Sequence, residues 1–151
     1  MPRQHGLTLL ELLVVLTIIG LVSSLVTLSL RDSPQRLVEQ EAQRLAAQLE
    51  AARALARSNG VPLTWRATPE GFVFEAPSGY QPVPPAQHWL TAPTQASIEI
   101  GDQPAEQVTL GPEPVLPPIH IALRMTADSG AAAPARARVG TDGLRPFQME
   151  P

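Results

Sequence analysis

The most apolar part of this chain contains a single carboxylate. Between residues 7 and 30 the only charged side chain is Glu11. A carboxylate near the centre of a membrane-spanning helix costs about 2.5–3.5 kcal/mol on insertion scales, so such a residue is expected to have a function and a partner. We therefore treat Glu11 as a candidate functional residue that forms an ion pair with a cationic group.

The apolar run around Glu11 is long enough to cross a membrane. Its 24 residues, 7–30, would form a helix of about 36 Å, whereas the hydrocarbon core of a bilayer is about 30 Å thick. A secretory signal peptide has a shorter apolar region and an A-x-A-like cleavage site, but the first alanine of this sequence is Ala42. The run therefore predicts a transmembrane helix, with a plain signal anchor as the alternative.

Small residues and flanking charges add two expectations about this run. Gly20 and Ser24 are four residues apart and predict a face on which a second membrane helix packs closely, although small residues are common in membrane helices in general. Arg3 precedes the run, whereas Arg31 after it is offset by Asp32. The positive-inside rule then places residues 1–6 in the cytoplasm and everything after the run in the periplasm or outside the cell.

The apolar run is followed by a second helical pattern at residues 31–59. Asp32 or Ser33 can cap a new helix with Pro34 in its first turn, or one helix continues with a kink at the proline. Asn59-Gly60 is a typical helix end. The pattern has an apolar stripe with helical spacing, formed by Val38, Ala42, Leu45, Leu49, Ala52 and Ala56. We expect this stripe to pack on a sheet.

The remainder, residues 60–151, contains strand patterns separated by turns. The strand patterns lie at residues 61–67, 72–76, 97–100, 107–110 and 119–125. Turn signals at residues 68–71, Gly101-Asp102 and Asp142-Gly143 predict hairpins, the last of them tight. Trp89 is expected to anchor a proline-rich stretch to the core. One long helix followed only by strands predicts an α+β fold, with the second half of the helix on an antiparallel sheet.

Composition argues against several functional classes. The formal charge is −3, from 11 arginines, no lysine and 14 acidic residues, whereas nucleic-acid binders usually have a basic face. The chain has no cysteine. We find no hydrolase, phosphate-loop or zinc-protease motif, and His88 and His120 are too far apart in sequence to suggest zinc. We therefore expect no enzymatic activity, no metal, no cofactor and no nucleic-acid partner.

The string GLTLLELLVV, which begins at Gly6, resembles the processing site of type IV pilin-like proteins. The resemblance implies cleavage between Gly6 and Leu7 by a prepilin peptidase and N-methylation of Leu7. It also implies that Glu11 pairs with the new N-terminal amine of a neighbouring subunit. The sequence departs from the family at Leu7, where phenylalanine or methionine is usual.

Two further segments, residues 51–63 and 140–147, are similar to the GspH/FimT group of minor pseudopilins and minor pilins. The chain thus resembles an H-type minor pseudopilin of the type II secretion system, most specifically over residues 6–60. The resemblance implies a single-pass inner-membrane precursor with a periplasmic domain, which joins the pseudopilus near its tip. Its implied partners are the major pseudopilin, other minor pseudopilins, the secretin and the exported proteins.

Two alternatives remain open at this stage. A FimT-like minor pilin of a type IV pilus, with a role in DNA uptake, has the same type of leader. A signal-anchored periplasmic enzyme belongs to another class, and a deep pocket with converging titratable groups would favour it. The acidic balance and the absence of a basic C-terminal tail favour the secretion subunit.

Overall fold

The computed structural model describes residues 9–29, 33–91, 94–125 and 134–150. Contacts divide the chain into two compact units, Met1–Asp32 and Ser33–Pro151. The first unit contains helix α1, Leu9–Ser29, whose side chains are described for residues 9–21. The second unit contains one helix and nine strands among its described residues.

Helix α2, Pro34–Asn59, begins and ends at the predicted signals. Ser33 has an extended backbone, and its hydroxyl accepts a hydrogen bond from the amide of Arg36, so of the two candidate caps it is Ser33 that caps the helix. Pro34 occupies the first turn, where its missing N–H has no cost. Gly60 ends the helix in the left-handed conformation, with a φ of 65° that favours glycine.

The first of two antiparallel sheets has the order β3-β2-β1-β6. It is formed by β1 (Leu63–Thr68), β2 (Gly71–Glu75), β3 (Gln87–His88) and β6 (Gln107–Leu110). The predicted hairpin at residues 68–71 is confirmed, because Thr68 pairs with Gly71 at its turn.

The second sheet has the order β5-β4-β7-β8-β9. Its strands are β4 (Thr94–Ile100), β5 (Gln103–Ala105), β7 (Ile119–Met125), β8 (Ala135–Thr141) and β9 (Gln148–Glu150). Strand β7 lies at the centre and pairs along its whole length with β4 and β8.

The core lies between α2 and the inner faces of both sheets. All six residues of the predicted helical stripe are buried, and so are the alternating residues of β7. Trp89 is buried as predicted, and its ring packs on Phe72 with the centroids 5.3 Å apart. The α+β class is therefore confirmed, with a helix packed on antiparallel sheets as in a pilin-like fold.

Three details of the sheets differ from the sequence expectations. The helix packs on two sheets rather than one. The turn at Gly101-Asp102 joins β4 to β5, whereas β6 pairs with β1 in the other sheet. Strand β8 pairs with β9 at Gly140 and Gln148, so residues 142–147 form a longer loop instead of a tight hairpin.

Candidate functional site

The structure places three of the five predicted site residues on α1. Glu11 is in the first turn of the helix and is exposed. Gly20 and Ser24 also belong to α1, where they are four positions apart, and their role in helix packing stays a prediction. Gly20 follows Glu11 by nine positions, so at about 100° per residue the two positions lie on opposite sides of the helix. Gly6 and Leu7 lie outside the described residues.

The described part of α1 exposes apolar side chains on every face. Ten large aliphatic residues between positions 9 and 21 are exposed, from 46% for Val14 to 84% for Leu9. A β carbon added at Gly20 would meet no atom within 4 Å. Single exposed apolar residues are ordinary, but a contiguous patch usually marks an interaction surface.

The predicted transmembrane helix is not confirmed. Among the described residues, no helix satisfies the length and hydropathy required to cross a membrane. The ends of the predicted segment, residues 7, 8 and 30, lie outside the described residues.

The second unit has a buried carboxylate, Glu41, that the sequence analysis did not identify. Its side chain is fully buried and accepts hydrogen bonds from Arg44 Nε at 3.0 Å and Arg44 Nη2 at 2.9 Å. Its second oxygen accepts a hydrogen bond from the backbone amide of Leu90 at 2.5 Å. Arg44 also donates to the carbonyl of His88 at 2.5 Å and lies 5.6 Å from the ring centroid of Phe72. This pair ties the segment around β3 to α2.

A buried arginine, Arg53, performs the same task at another place along α2. Its side chain is 2% exposed. Its guanidinium donates to the carbonyl of Arg145 at 3.2 Å, of Pro114 at 3.1 Å and of Gly143 at 2.7 Å. One cation thus holds two loops, residues 111–118 and 142–147.

The 142–147 loop is shaped by local hydrogen bonds that complete this anchor. The carboxylate of Asp142 accepts hydrogen bonds from the backbone amides of Arg145 and Leu144. These two hydrogen bonds lower the pKa of the Asp142 carboxyl. Gly143 has a φ of 90°, and a β carbon there would lie 1.8 Å from the carbonyl oxygen of Leu116. The turn therefore requires glycine.

Both buried charges were detectable in principle from the sequence. Glu41 precedes Leu45 by four residues, and Arg53 follows Leu49 by four, so each falls on the core face of α2. Each also has an oppositely charged residue three positions away, at Arg44 and at Glu50. The signal for a buried charge was a charged residue at a position that helical spacing places on the core face of α2.

The described residues form no obvious metal centre. No group of three or more histidine, aspartate or glutamate side chains among them is placed to hold a metal ion. His88 contributes its backbone carbonyl to Arg44, and His120 pairs with Glu150 at 2.9 Å on the outside of the second sheet.

Comparison with known proteins gives one finding. Residues 1–27 match the family described as the prokaryotic N-terminal methylation motif. This segment contains Gly6, Leu7, Glu11, Gly20 and Ser24, and the match supports a type IV pilin-like protein with a membrane-anchored precursor. Such a motif implies processing by a prepilin peptidase and assembly with other pilins. No curated protein and no solved structure gives a significant match.

Proposed function

We propose that this protein is a minor pseudopilin, a structural subunit near the tip of the type II secretion pseudopilus. The observation that carries the proposal is the N-terminal methylation motif at residues 1–27. The choice of the secretion system rests on the resemblance of residues 51–63 and 140–147 to the GspH/FimT group. In the fold these segments are the end of α2 with the start of β1, and the loop after β8.

The proposed sequence of events begins with an inner-membrane precursor whose second unit lies in the periplasm. Cleavage after Gly6 and methylation of Leu7 produce the mature subunit. The exposed aliphatic residues of α1 support the next step, because such a surface needs lipid or neighbouring helices to cover it. The subunit then enters the periplasmic pseudopilus through helix packing in which Gly20 and Ser24 allow close approach.

Glu11 sets the register of this assembly in the proposal. Its carboxylate, in the first turn of α1, pairs with the N-terminal amine of a neighbouring subunit. A charge pair in an apolar environment adds little stability, because both charges must first be desolvated, but a misplaced subunit leaves both uncompensated. The pair therefore specifies position more than it strengthens the filament. The protein has a structural role in this account, not a catalytic one.

The proposal is tested by deleting the gene and restoring it in trans. Exported proteins should accumulate in the periplasm of the deletion strain, and the wild-type gene should return them to the medium. The Gly6→Ala gene, expressed at the same level, should not. Normal secretion together with lost DNA uptake would contradict the pseudopilus and support a FimT-like minor pilin, whose leader is of the same type.

A further inference from the structure

The second sheet presents a polar face on the side opposite the core. Alternation along each strand turns Ile121, Leu123 and Val139 inward, where they are buried. The same alternation places an exposed set on the other face: Gln95, Ser97, Glu99, Arg124, Arg136 and Arg138.

Two arginines of this face are directly opposite each other. Arg124 on β7 is the cross-strand partner of Arg136 on β8. Like charges in this position repel and destabilise the strand pair. Neither guanidinium has an ion pair within 4.0 Å among the described residues. The pair therefore concentrates positive charge that has no ion pair in the described part of the chain.

These arginines border a shallow cleft with a small-residue floor. The cleft has a volume of about 340 Å³ and is lined by Ser97, Ala122, Arg124, Arg136 and Arg138, among others. Arg138 faces Glu99 at 3.7 Å and Glu150 at 3.8 Å, which is longer than a hydrogen-bonded ion pair. Three guanidinium groups thus surround a space that the short side chains of Ala122 and Ser97 leave open.

The size and surroundings of the positive patch restrict what fits there. Glu99 and Glu150 flank Arg138 on the side next to His120, away from Arg124 and Arg136. A long polyanion such as a nucleic acid would run from the arginines onto these carboxylates, whereas one or two carboxylates bound between Arg124 and Arg136 would not extend to them. The forked guanidinium geometry suits planar carboxylates.

We propose that this cleft, the arginine cleft, binds the carboxylates of an acidic segment of a partner protein. The site lies on the second sheet, and it does not depend on the N-terminal processing site or on the secretion assignment. It makes the outer face of the second sheet a protein-docking surface, held by charge complementarity.

The test measures binding of a fluorescently labelled hexaglutamate peptide to the full chain in zwitterionic detergent, by fluorescence anisotropy. The double variant Arg124→Gln/Arg136→Gln removes the opposed charges. The matched control, Arg57→Gln/Arg66→Gln, removes two exposed arginines that pair with Glu50 and Glu75 away from the cleft. Both variants change the net charge equally, so the comparison separates the site from a general charge effect.

We expect the wild type to bind the peptide, the double variant to bind roughly tenfold more weakly, and the control to match the wild type. Added salt should weaken binding. Failure of the wild type to bind, or an equal loss in both variants, would overturn the proposal. Tighter binding of an oligothymidylate of equal charge would overturn it in favour of a nucleic-acid site.

A stability measurement supplies an independent check. Because Arg124 repels Arg136, Arg124→Gln should leave the melting temperature of the full chain unchanged or raise it. A clear drop would mean that Arg124 is already occupied by a partner within the chain, and the cleft would then not be open to a ligand.

Discussion

Burying a charged side chain is costly, and α2 buries two of them. Glu41 and Arg53 are both less than 3% exposed, and each makes three hydrogen bonds. Arg53 donates only to loop carbonyls, whereas Glu41 accepts one loop amide hydrogen bond, from Leu90, and two from Arg44, which itself donates to the carbonyl of His88. The two residues thus replace secondary structure where the chain leaves the sheets, which explains why a helix otherwise lined by alanine and leucine carries charges on its core face.

Replacing Arg53 by alanine tests this role. The change removes three charge-assisted hydrogen bonds and a buried side chain, so the free energy of unfolding should fall by about 2–4 kcal/mol. The loss stays in this range because the amide of Leu116 still donates to the carbonyl of Gly143 and the hydroxyl of Thr141 to that of Arg145. The measurement is thermal unfolding of the full chain in detergent, followed by near-ultraviolet circular dichroism.

The control for Arg53 is Arg57→Ala on the same helix. Arg57 is 43% exposed and pairs with Glu50 at 3.7 Å, so its loss should cost no more than about 1 kcal/mol. If the two variants unfold alike, the three carbonyls are satisfied without Arg53, and Arg53 is not an anchor.

Glu11→Ala tests the proposed assembly role by removing a single carboxylate. The variant keeps Gly6 and Leu7, so processing should proceed normally, while incorporation into the pseudopilus should fall because the register-setting pair is lost. The readout is the fraction of mature protein that co-purifies with the major pseudopilin. Glu11→Asp, which keeps the charge on a shorter side chain, should be intermediate. Full co-purification and full secretion with Glu11→Ala would refute the role.

Local sequence signals were sufficient to predict helices and hairpins, but they did not predict which strands pair when the strands are far apart in the sequence. The β1–β2 hairpin follows from a turn inside one short stretch of sequence. Strand β6 pairs with β1, so that Val108 lies opposite Trp65. These strands are separated by most of the sequence that forms the first sheet, and neither strand contains a signal that specifies this pairing. The longer loop before β9 was not predicted, because its shape depends on hydrogen bonds. Asp142 accepts hydrogen bonds from two backbone amides, and Arg53 donates to the carbonyls of Gly143 and Arg145.

The short strand β3 pairs with β2 at only two positions, and the residue that follows Trp89 is hydrogen-bonded to Glu41 of α2. Glu41→Ala removes the acceptor of the Leu90 amide and the partner of Arg44. Hydrogen exchange at Leu90 should therefore accelerate by roughly tenfold to a hundredfold, while amides of β7 keep their protection. Glu39→Ala, two residues earlier on α2, should leave Leu90 unchanged. Equal exchange in both variants would show that Trp89 alone holds this segment.

The two units of the chain contribute different features to the proposed function. The first unit supplies the methylation motif and an aliphatic helix surface, and both were predictable because they are written in consecutive residues. The second unit supplies the α+β domain, whose class was predictable from the order of its patterns. The arginine cleft was not, because Arg124, Arg136 and Arg138 become neighbours only through the pairing of β7 with β8.

Processing of the chain as a pilin-like subunit can be measured by intact mass and N-terminal sequencing. The full chain is co-expressed with a prepilin peptidase, with Gly6→Ala as the matched control. We predict a mature chain that starts at Leu7 and carries one added methyl group, and no such product from Gly6→Ala. A chain that still starts at Met1 in the presence of active peptidase would contradict pilin-like processing and return the N-terminal segment to a plain signal anchor.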